Sequence, residues 1–204
     1  MVRRYEEWLR GKTVAIIGGA TWERRAEEAD VVIRINQHVL RQGGRVDVIY
    51  DAMAKDPSAF FTSGVIGAVR WFVAMRSGAF YSEATMARLQ AHGTRTMSLG
   101  TEVTRREPEE DSFLIGEQWF QRELRRYRTL PFTGITALLH VLHSEVRSVL
   151  VTGMTFYAEQ GTVPAKMGMH DVEINRQIVR DALQCDIRLR VDEQTRESLE
   201  LPVR

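Results

Sequence analysis

Cysteine is nearly missing from this chain: Cys185 stands alone among 204 residues. One thiol cannot close an intrachain disulfide, and it cannot build a cysteine-rich metal centre. No apolar run approaches the roughly 20 residues that a membrane span needs. Met1 to Gly11 is charged rather than signal-like, so no secretory leader is read there. A reducing, cytoplasmic setting is the expectation. Lysine is scarce as well, with only Lys12, Lys55 and Lys166; arginine carries the remaining positive charge. Arginine suits bidentate recognition of phosphate or carboxylate, and nucleotide composition of the genome explains the same bias. A formal net charge of +1 leaves no global field of the kind that marks a nucleic-acid binder. No Asp-x-Asp pair closes an apolar run, so a hard-cation site is not expected. Repeats, low-complexity tracts and dividing linkers are absent.

What remains is ordinary globular composition, 44% apolar and 27% charged, and a length that fits one domain over 1–204. Three short, β-branched runs open the chain: Thr13-Val-Ala-Ile-Ile-Gly18-Gly19, Ala29 to Gln37, and Arg45-Val-Asp-Val-Ile-Tyr50. Runs of that length, apolar throughout and bounded by glycine or polar residues, read as strands buried on both faces of a parallel sheet. Gly18 and Gly19 fall where the first strand must turn toward a helix. Glycines there let backbone N–H groups meet a phosphate or ribose, although many α/β proteins use them only to turn. The dinucleotide fingerprint is lacking, because Ala20-Thr-Trp follows. The second strand ends in Asn36 and Gln37 rather than in the carboxylate that a dinucleotide ribose prefers. Their amides suit a nucleobase edge or a sugar hydroxyl, which disfavours a nicotinamide cofactor.

Further along, a helix is expected near Trp22 to Ala29, a strand over Val69 to Met75, a helix from Ser82 to Ala91 and a strand over Arg95 to Ser98. Glu6 to Leu9 reads as a short amphipathic turn that packs. The polar stretch Thr101 to Asp111 is either a solvated loop or an acceptor-binding lid, placed at about 100–112. Phe113 to Arg128 reads as an amphipathic helix whose arginines form a basic solvent face. Pro131-Phe-Thr133-Gly134 opens an apolar helix, and the positive end of its dipole can bind an anion; Thr133 serves equally as a simple cap. His140 and His143 share a face of that helix and read as core or surface histidines rather than as a metal pair.

The densest signal lies in Leu150-Val-Thr-Gly-Met-Thr-Phe-Tyr157, followed by Gly168-Met-His170-Asp-Val-Glu173. An apolar strand delivers a glycine, Gly153, then a hydroxyl donor, Tyr157, then a base that titrates near neutrality, His170. Phosphate chemistry needs a close backbone approach, a proton donor and a base, and these residue types supply all three. The plainer alternative is that Tyr157 and His170 pack or cap.

Taken in series, these segments resemble the sialyltransferase-like glycosyltransferases, sequence families 42 and 29. The resemblance rests on the strand–glycine start, Arg34-x-Asn36-Gln37, the Asp-Val-Ile-Tyr strand, Thr133-Gly134, Thr152 to Tyr157, and His170 heading a final helix before the strand Asp186 to Val191. It covers most of the chain in order and approximate spacing, and it implies an α/β fold. That fold is a single Rossmann-like domain with a mostly parallel sheet flanked by helices, a sialyltransferase-type variant of the GT-A architecture. The implied activity is metal-independent transfer of an acidic sugar, sialic acid or similar, from a CMP-sugar donor to an acceptor hydroxyl. No cofactor is implied beyond the donor substrate. Partners would be the nucleotide-sugar donor and a glycan or other hydroxyl acceptor, without a membrane span; a homo-oligomer is left open.

Carried over by position, His170 would be the base and Tyr157 would donate to the leaving phosphate. Gly18, Gly19, Asn36, Gln37, Thr133, Gly134 and Gly153 would hold the nucleotide. The chain departs from the pattern at Gly19, where the families carry Asn. It departs again at Gly161 to Val163, where family 42 has a second tyrosine. Phe132 stands where family 29 prefers a small hydroxyl residue, and Glu173 reads as a helix cap. Those departures keep two alternatives in view. One is a nucleotide- or glycan-binding module with reduced catalysis. The other is a transferase using another sugar nucleotide on a glycan or a modified nucleic acid.

Overall fold

The computed structural model describes residues 2–52, 58–74, 83–98, 126–127, 129–156, 166–167 and 170–200. Seven strands form one sheet, and every pairing in it is parallel. They are β1 (Thr13–Ile17), β2 (Val31–Ile35), β3 (Val48–Asp51), β4 (Trp71–Ala74), β5 (Arg95–Ser98), β6 (Ser148–Thr152) and β9 (Leu189–Val191), in the spatial order β5-β4-β3-β2-β1-β6-β9. A short antiparallel hairpin, β7 (Lys166–Met167) with β8 (His170–Asp171), lies outside the sheet.

Alternate residues of each strand point to opposite faces, and both faces are covered. Val14 and Ile16 of β1, Ile33 and Ile35 of β2, and Tyr50 of β3 enter the larger core. That core is roofed by α1 (Val2–Leu9), α5 (Thr133–His143) and α6 (Val172–Cys185). Ala15, Ile17 and Val32 turn to the other face, beneath the 3-10 helix Arg24–Glu28 and Trp22. Ile49 and Phe72 turn the same way beneath α2 (His38–Gln42), α3 (Ser58–Thr62) and α4 (Glu83–Ala91). The last helix, α7 (Glu193–Ser198), packs beside β6. No helix among the described residues is long and apolar enough to cross a membrane.

Several expected elements differ in kind. The amphipathic turn at Glu6 is the end of a full helix, α1, which buries Tyr5 and Leu9 one turn apart. Trp22 to Ala29 is not a regular helix; Arg24 to Glu28 makes a 3-10 turn only. Strand β6 stops at Thr152, because Gly153 at φ +67° turns the chain out of the sheet. His170 sits in β8, and α6 begins at Val172 with Asp171 as its cap, whose carboxylate accepts the Ile174 N–H at 3.0 Å. Glu173 is therefore not the cap; it reaches Arg176 and Arg180 on the helix surface. The expected lid at about 100–112, the helix from Phe113 up to residue 125, and Tyr157 lie outside the described residues.

His140 is a core residue. Its Nδ1 lies 2.8 Å from the Tyr50 hydroxyl, which donates in turn toward Tyr5 at 3.2 Å, and all three are fully buried. Burial holds both phenols well above the usual tyrosine range. The sign is then fixed: above about pH 10 the unfolded chain ionises both phenols while the native chain keeps its protons, so stability falls as pH rises. Tyr50→Phe should lose about 1–3 kcal/mol in urea unfolding at pH 7, by stripping the hydrogen bonds from His140 and Tyr5. It should also flatten the alkaline decline. An unchanged midpoint together with an unchanged alkaline limb would show that the buried network is inert.

Candidate functional site

Strands β2 to β5 are laid down on one side of β1, and the chain then crosses to place β6 on the other. That reversal opens a crevice at the carboxyl ends of β1 and β6, the usual ligand position in open α/β sheets. In register, Ile17 pairs with both Arg34 and Thr152, so the residues after β1 and β6 emerge side by side.

The two turns there touch backbone to backbone. Gly18 donates its N–H to Thr152 O at 2.9 Å, and Ala20 donates to Gly153 O at 3.1 Å. A Cβ on Gly18 would sit 2.3 Å from the Gly153 oxygen. Gly18 does not occupy a positive φ, so close approach rather than conformational freedom demands glycine at this position. Asp192 clamps the far side: its carboxylate accepts from the Thr152 hydroxyl, from Gly153 N–H at 3.2 Å and from Thr195 N–H at 2.8 Å. The N–H groups of Gly18 and Gly153 are thus committed within the protein. Exposed Gly19 keeps an N–H with no acceptor among the described residues. Phe156, just before Tyr157, is buried at φ +49°, a strained conformation for an aromatic residue.

The end of β2 supplies the next wall. Asn36 adopts φ +52°, which asparagine tolerates better than most residues. Its N–H meets Tyr50 O at 2.7 Å, and its Oδ1 accepts Ala52 N–H at 3.0 Å. The side chain therefore braces the turn after β3, and its Nδ2 donor has no acceptor among the described residues. Gln37, half-buried, caps α2 without a side-chain bond, so its amide is uncommitted among those residues. Arg34 turns to the opposite face of the sheet. There it is fully buried against Trp22, 4.4 Å from the ring, and bonded to Glu27 and Gly43 O. It is a structural arginine, and burial lowers its pKa.

The start of α5 and the segment from His170 to Asn175 are tied together by three cross-bonds. Asp171 N–H donates to Thr129 Oγ1 at 3.0 Å, His170 Nδ1 donates to Leu130 O at 2.6 Å, and Phe132 N–H donates to Asn175 Oδ1 at 2.7 Å. A carbonyl can only accept, so Nδ1 carries the proton and the lone pair of the neutral ring lies on Nε2. Phe132 stacks on the imidazole with centroids 4.8 Å apart. The first intrahelical bond of α5 runs from Thr136 N–H to Phe132 O, and no side chain caps the helix. Thr133, Gly134 and Ile135 thus present N–H groups without acceptors among the described residues. Thr133 is the first helical residue, not the cap. Gly134 lies under Met154, where a Cβ would come within 2.5 Å of the Met154 methyl carbon and 3.7 Å of Ile35.

A chain of contacts therefore runs from His170 through Phe132 and Gly134 to Met154, then to Gly18, whose would-be Cβ meets Met154 Cγ at 3.0 Å. Seven of the residues expected to bind nucleotide, together with His170, border this one sheet edge. Tyr157 lies outside the described residues. Sequence reasoning missed the supporting shell of Met154, Asn175 and Asp192; the Asp192-Glu193 pair ahead of Thr195 is a helix-start signal that marks the last of these. Among the described residues, no group of three His, Cys, Asp or Glu side chains is placed to hold a metal ion.

Comparison with known proteins assigns the fold to a class. No protein-family model matches the chain, and no curated protein matches it by sequence. Solved structures of the sialyltransferase CST-II, from Campylobacter jejuni, do match. A single-substitution variant in complex with CMP aligns with TM-score 0.54 at 9% identity, covering 88% of this chain and 81% of that one. The same protein with a trisaccharide acceptor and CMP gives TM-score 0.52 at 9% identity, covering 88% and 80%. A second variant with CMP gives 0.52 at 8% identity, again covering 88% and 80%. This chain has a sialyltransferase-like α/β fold.

The glycine contacts yield a direct test. Gly18→Ala must force the two turns apart and should cost about 1–3 kcal/mol or more, read as a fall in urea midpoint. Gly67→Ala, with open space around its Cβ, should stay within about 0.5 kcal/mol of wild type. Equal midpoints for the two variants would remove the close approach as a constraint.

Proposed function

We propose that this chain is a metal-independent glycosyltransferase that moves an acidic sugar from a CMP-sugar to an acceptor hydroxyl, in the cytoplasm. One observation carries the reading: His170 is held through Nδ1 by the Leu130 carbonyl, in the loop that opens α5, so its basic nitrogen is fixed beside an uncapped helix N-terminus. The fold likeness to CST-II, whose structures hold CMP and a trisaccharide acceptor, supports the same chemistry.

In the proposed reaction the acceptor oxygen attacks the anomeric carbon, and its proton passes to His170 Nε2. The anomeric C–O bond breaks with its electron pair moving onto the phosphate, which leaves as CMP. The donor carries one negative charge on its phosphate and the departing CMP close to two, so the site must stabilise charge that grows during the reaction. The N–H groups of Thr133, Gly134, Ile135 and Gly19 are assigned that role in place of a metal, helped by the positive end of the α5 dipole. Asn36 Nδ2 and the Gln37 amide offer hydrogen bonds to the base or sugar. Tyr157 is assigned to the leaving phosphate, and the stretch at about 100–112 of a single domain to acceptor binding.

CMP at about 100-fold over its Kd should stabilise the native chain by about 2.7 kcal/mol, which raises Tm by roughly 5–10 °C for a protein of this size. UMP, AMP and NAD should do less. His170→Ala should retain the CMP shift yet transfer sugar roughly 10²–10⁴-fold more slowly. His143→Ala, on the exposed end of α5, is the control. A CMP shift without any transfer or donor hydrolysis by wild type would favour a binding module; no nucleotide shift at all would sink the assignment.

A further inference from the structure

Asn175 is a polar residue in an apolar place. It is fully buried, on a helix whose other buried residues include Val172, Ile178 and Val179. Asparagine is a poor helix former, and a buried amide is costly unless it is hydrogen-bonded. Both ends of this amide are paired. Oδ1 accepts the Phe132 N–H at 2.7 Å, and Nδ2 donates to Asp171 O at 2.7 Å. A backbone N–H only donates and a carbonyl only accepts, so the amide has one orientation.

Those two partners flank a third hydrogen bond, from His170 Nδ1 to Leu130 O at 2.6 Å. Asp171 is the residue after the imidazole, and Phe132 lies two residues after the acceptor. Pro131 stands between Leu130 and Phe132, and its ring locks φ at about −65°. One soft torsion, ψ of Pro131, therefore separates the Leu130 carbonyl plane from the N–H that Asn175 holds. Phe132 also lies against the imidazole, with ring centroids 4.8 Å apart. One buried amide thus ties the segment bearing the imidazole to the segment bearing its acceptor.

We propose that Asn175 is a positioning residue for His170: it fixes the Leu130 carbonyl, which keeps the imidazole proton on Nδ1 and the lone pair on Nε2. The proposal rests on the transferase reading above and names what sets the tautomer of that site's base. A carbonyl oxygen has no proton to give, so it holds a ring nitrogen only as N–H. Once the carbonyl is released to rotate, that demand on Nδ1 is lost. Asn175 undergoes no covalent change and acts only through Leu130 and Phe132.

Nitrogen-15 NMR of the neutral imidazole reads the tautomer without substrate, with the His170 signal assigned by its loss in His170→Ala. Wild type should show the Nδ1–H form. Asn175→Leu keeps the bulk and deletes both bonds, so His170 should shift toward the Nε2–H form. Its kcat for sugar transfer should fall about 10²-fold, the scale of a misplaced catalytic group, with donor KM within about two-fold. Asn175→Asp keeps an acceptor for the Phe132 N–H in either protonation state, and should restore the Nδ1–H form and most of the kcat. Should Asn175→Leu fail to melt cooperatively, Asn175→Ala, which gains helix propensity, carries the same comparison. A folded Asn175→Leu or Asn175→Ala that keeps the Nδ1–H form overturns the proposal and leaves the transferase reading intact. A changed tautomer, restored by Asn175→Asp, supports the proposal; with it, absence of sugar transfer by wild type overturns the transferase reading alone. A wild-type proton on Nε2 overturns both.

Discussion

The contact between the turns after β1 and β6 is the constraint on which the site depends. Two segments remote in sequence meet there through their main chains, Gly18 N–H to Thr152 O and Ala20 N–H to Gly153 O. Hydrogen bonds between backbones need both chains within about 3 Å, and a side chain on Gly18 would occupy the carbonyl's place. Asp192 then locks the arrangement from a third segment by accepting from Thr152, Gly153 and the first turn of α7 at once. Glu23 N–H reaches the Thr152 hydroxyl from the fourth, at 2.9 Å. Removing the Asp192 carboxylate would release a strand end, a glycine turn and a helix cap together, which is why one residue near the C-terminal end has such leverage over the site.

A second clamp works by the same logic on the opposite wall. Thr129, Leu130 and Phe132 are each bonded to the segment from His170 to Asn175. Two of the bonds satisfy groups that the start of a helix would otherwise leave bare: Asn175 takes the Phe132 N–H, and Thr129 takes that of Asp171. Asn175 closes the set by donating to Asp171 O at 2.7 Å. With the Phe132 N–H spent on Asn175, the N-terminus of α5 leaves the N–H groups of Thr133, Gly134 and Ile135 without acceptors among the described residues. His170 and the start of α5 are in this sense one unit, and Phe132 is the aromatic spacer between them.

The strands were legible because parallel strands buried on two faces leave an unbroken β-branched signature: Thr13 to Ile17 and Val31 to Ile35 are read directly from their residues. Glycine turns and the Thr133 helix start were legible for similarly local reasons. What escaped was set by contacts across the chain. Nothing local makes His38 start a helix of five residues, since Gln37 supplies no cap bond. Nothing local shows that Arg34 turns away from the crevice, because its partner Glu27 comes from another segment. The apolar run from Leu150 conceals the point where β6 ends, which Gly153 sets through its positive φ. Asp171 and Glu173 both look like helix-start carboxylates, and only the geometry of the Ile174 N–H decides between them.

Those failures share a physical pattern that bears on how the site is built. Gly18, Gly19 and Gly134 are each glycine because another group, the Gly153 carbonyl, the His38 ring or the Met154 methyl, occupies the volume of a side chain. None of the three needs a positive φ. A glycine read only as a turn residue therefore understates its information: when its backbone is ordinary, a close neighbour is what excludes the side chain. Gly18 and Gly134 are spent on packing the crevice walls, with Met154 touching both. Gly19 differs, since it is exposed, keeps its N–H, and is covered by a side chain with donor nitrogens. Of the three, only Gly19 has an N–H without an acceptor among the described residues at an exposed position, and the His38 ring covers the place its side chain would take.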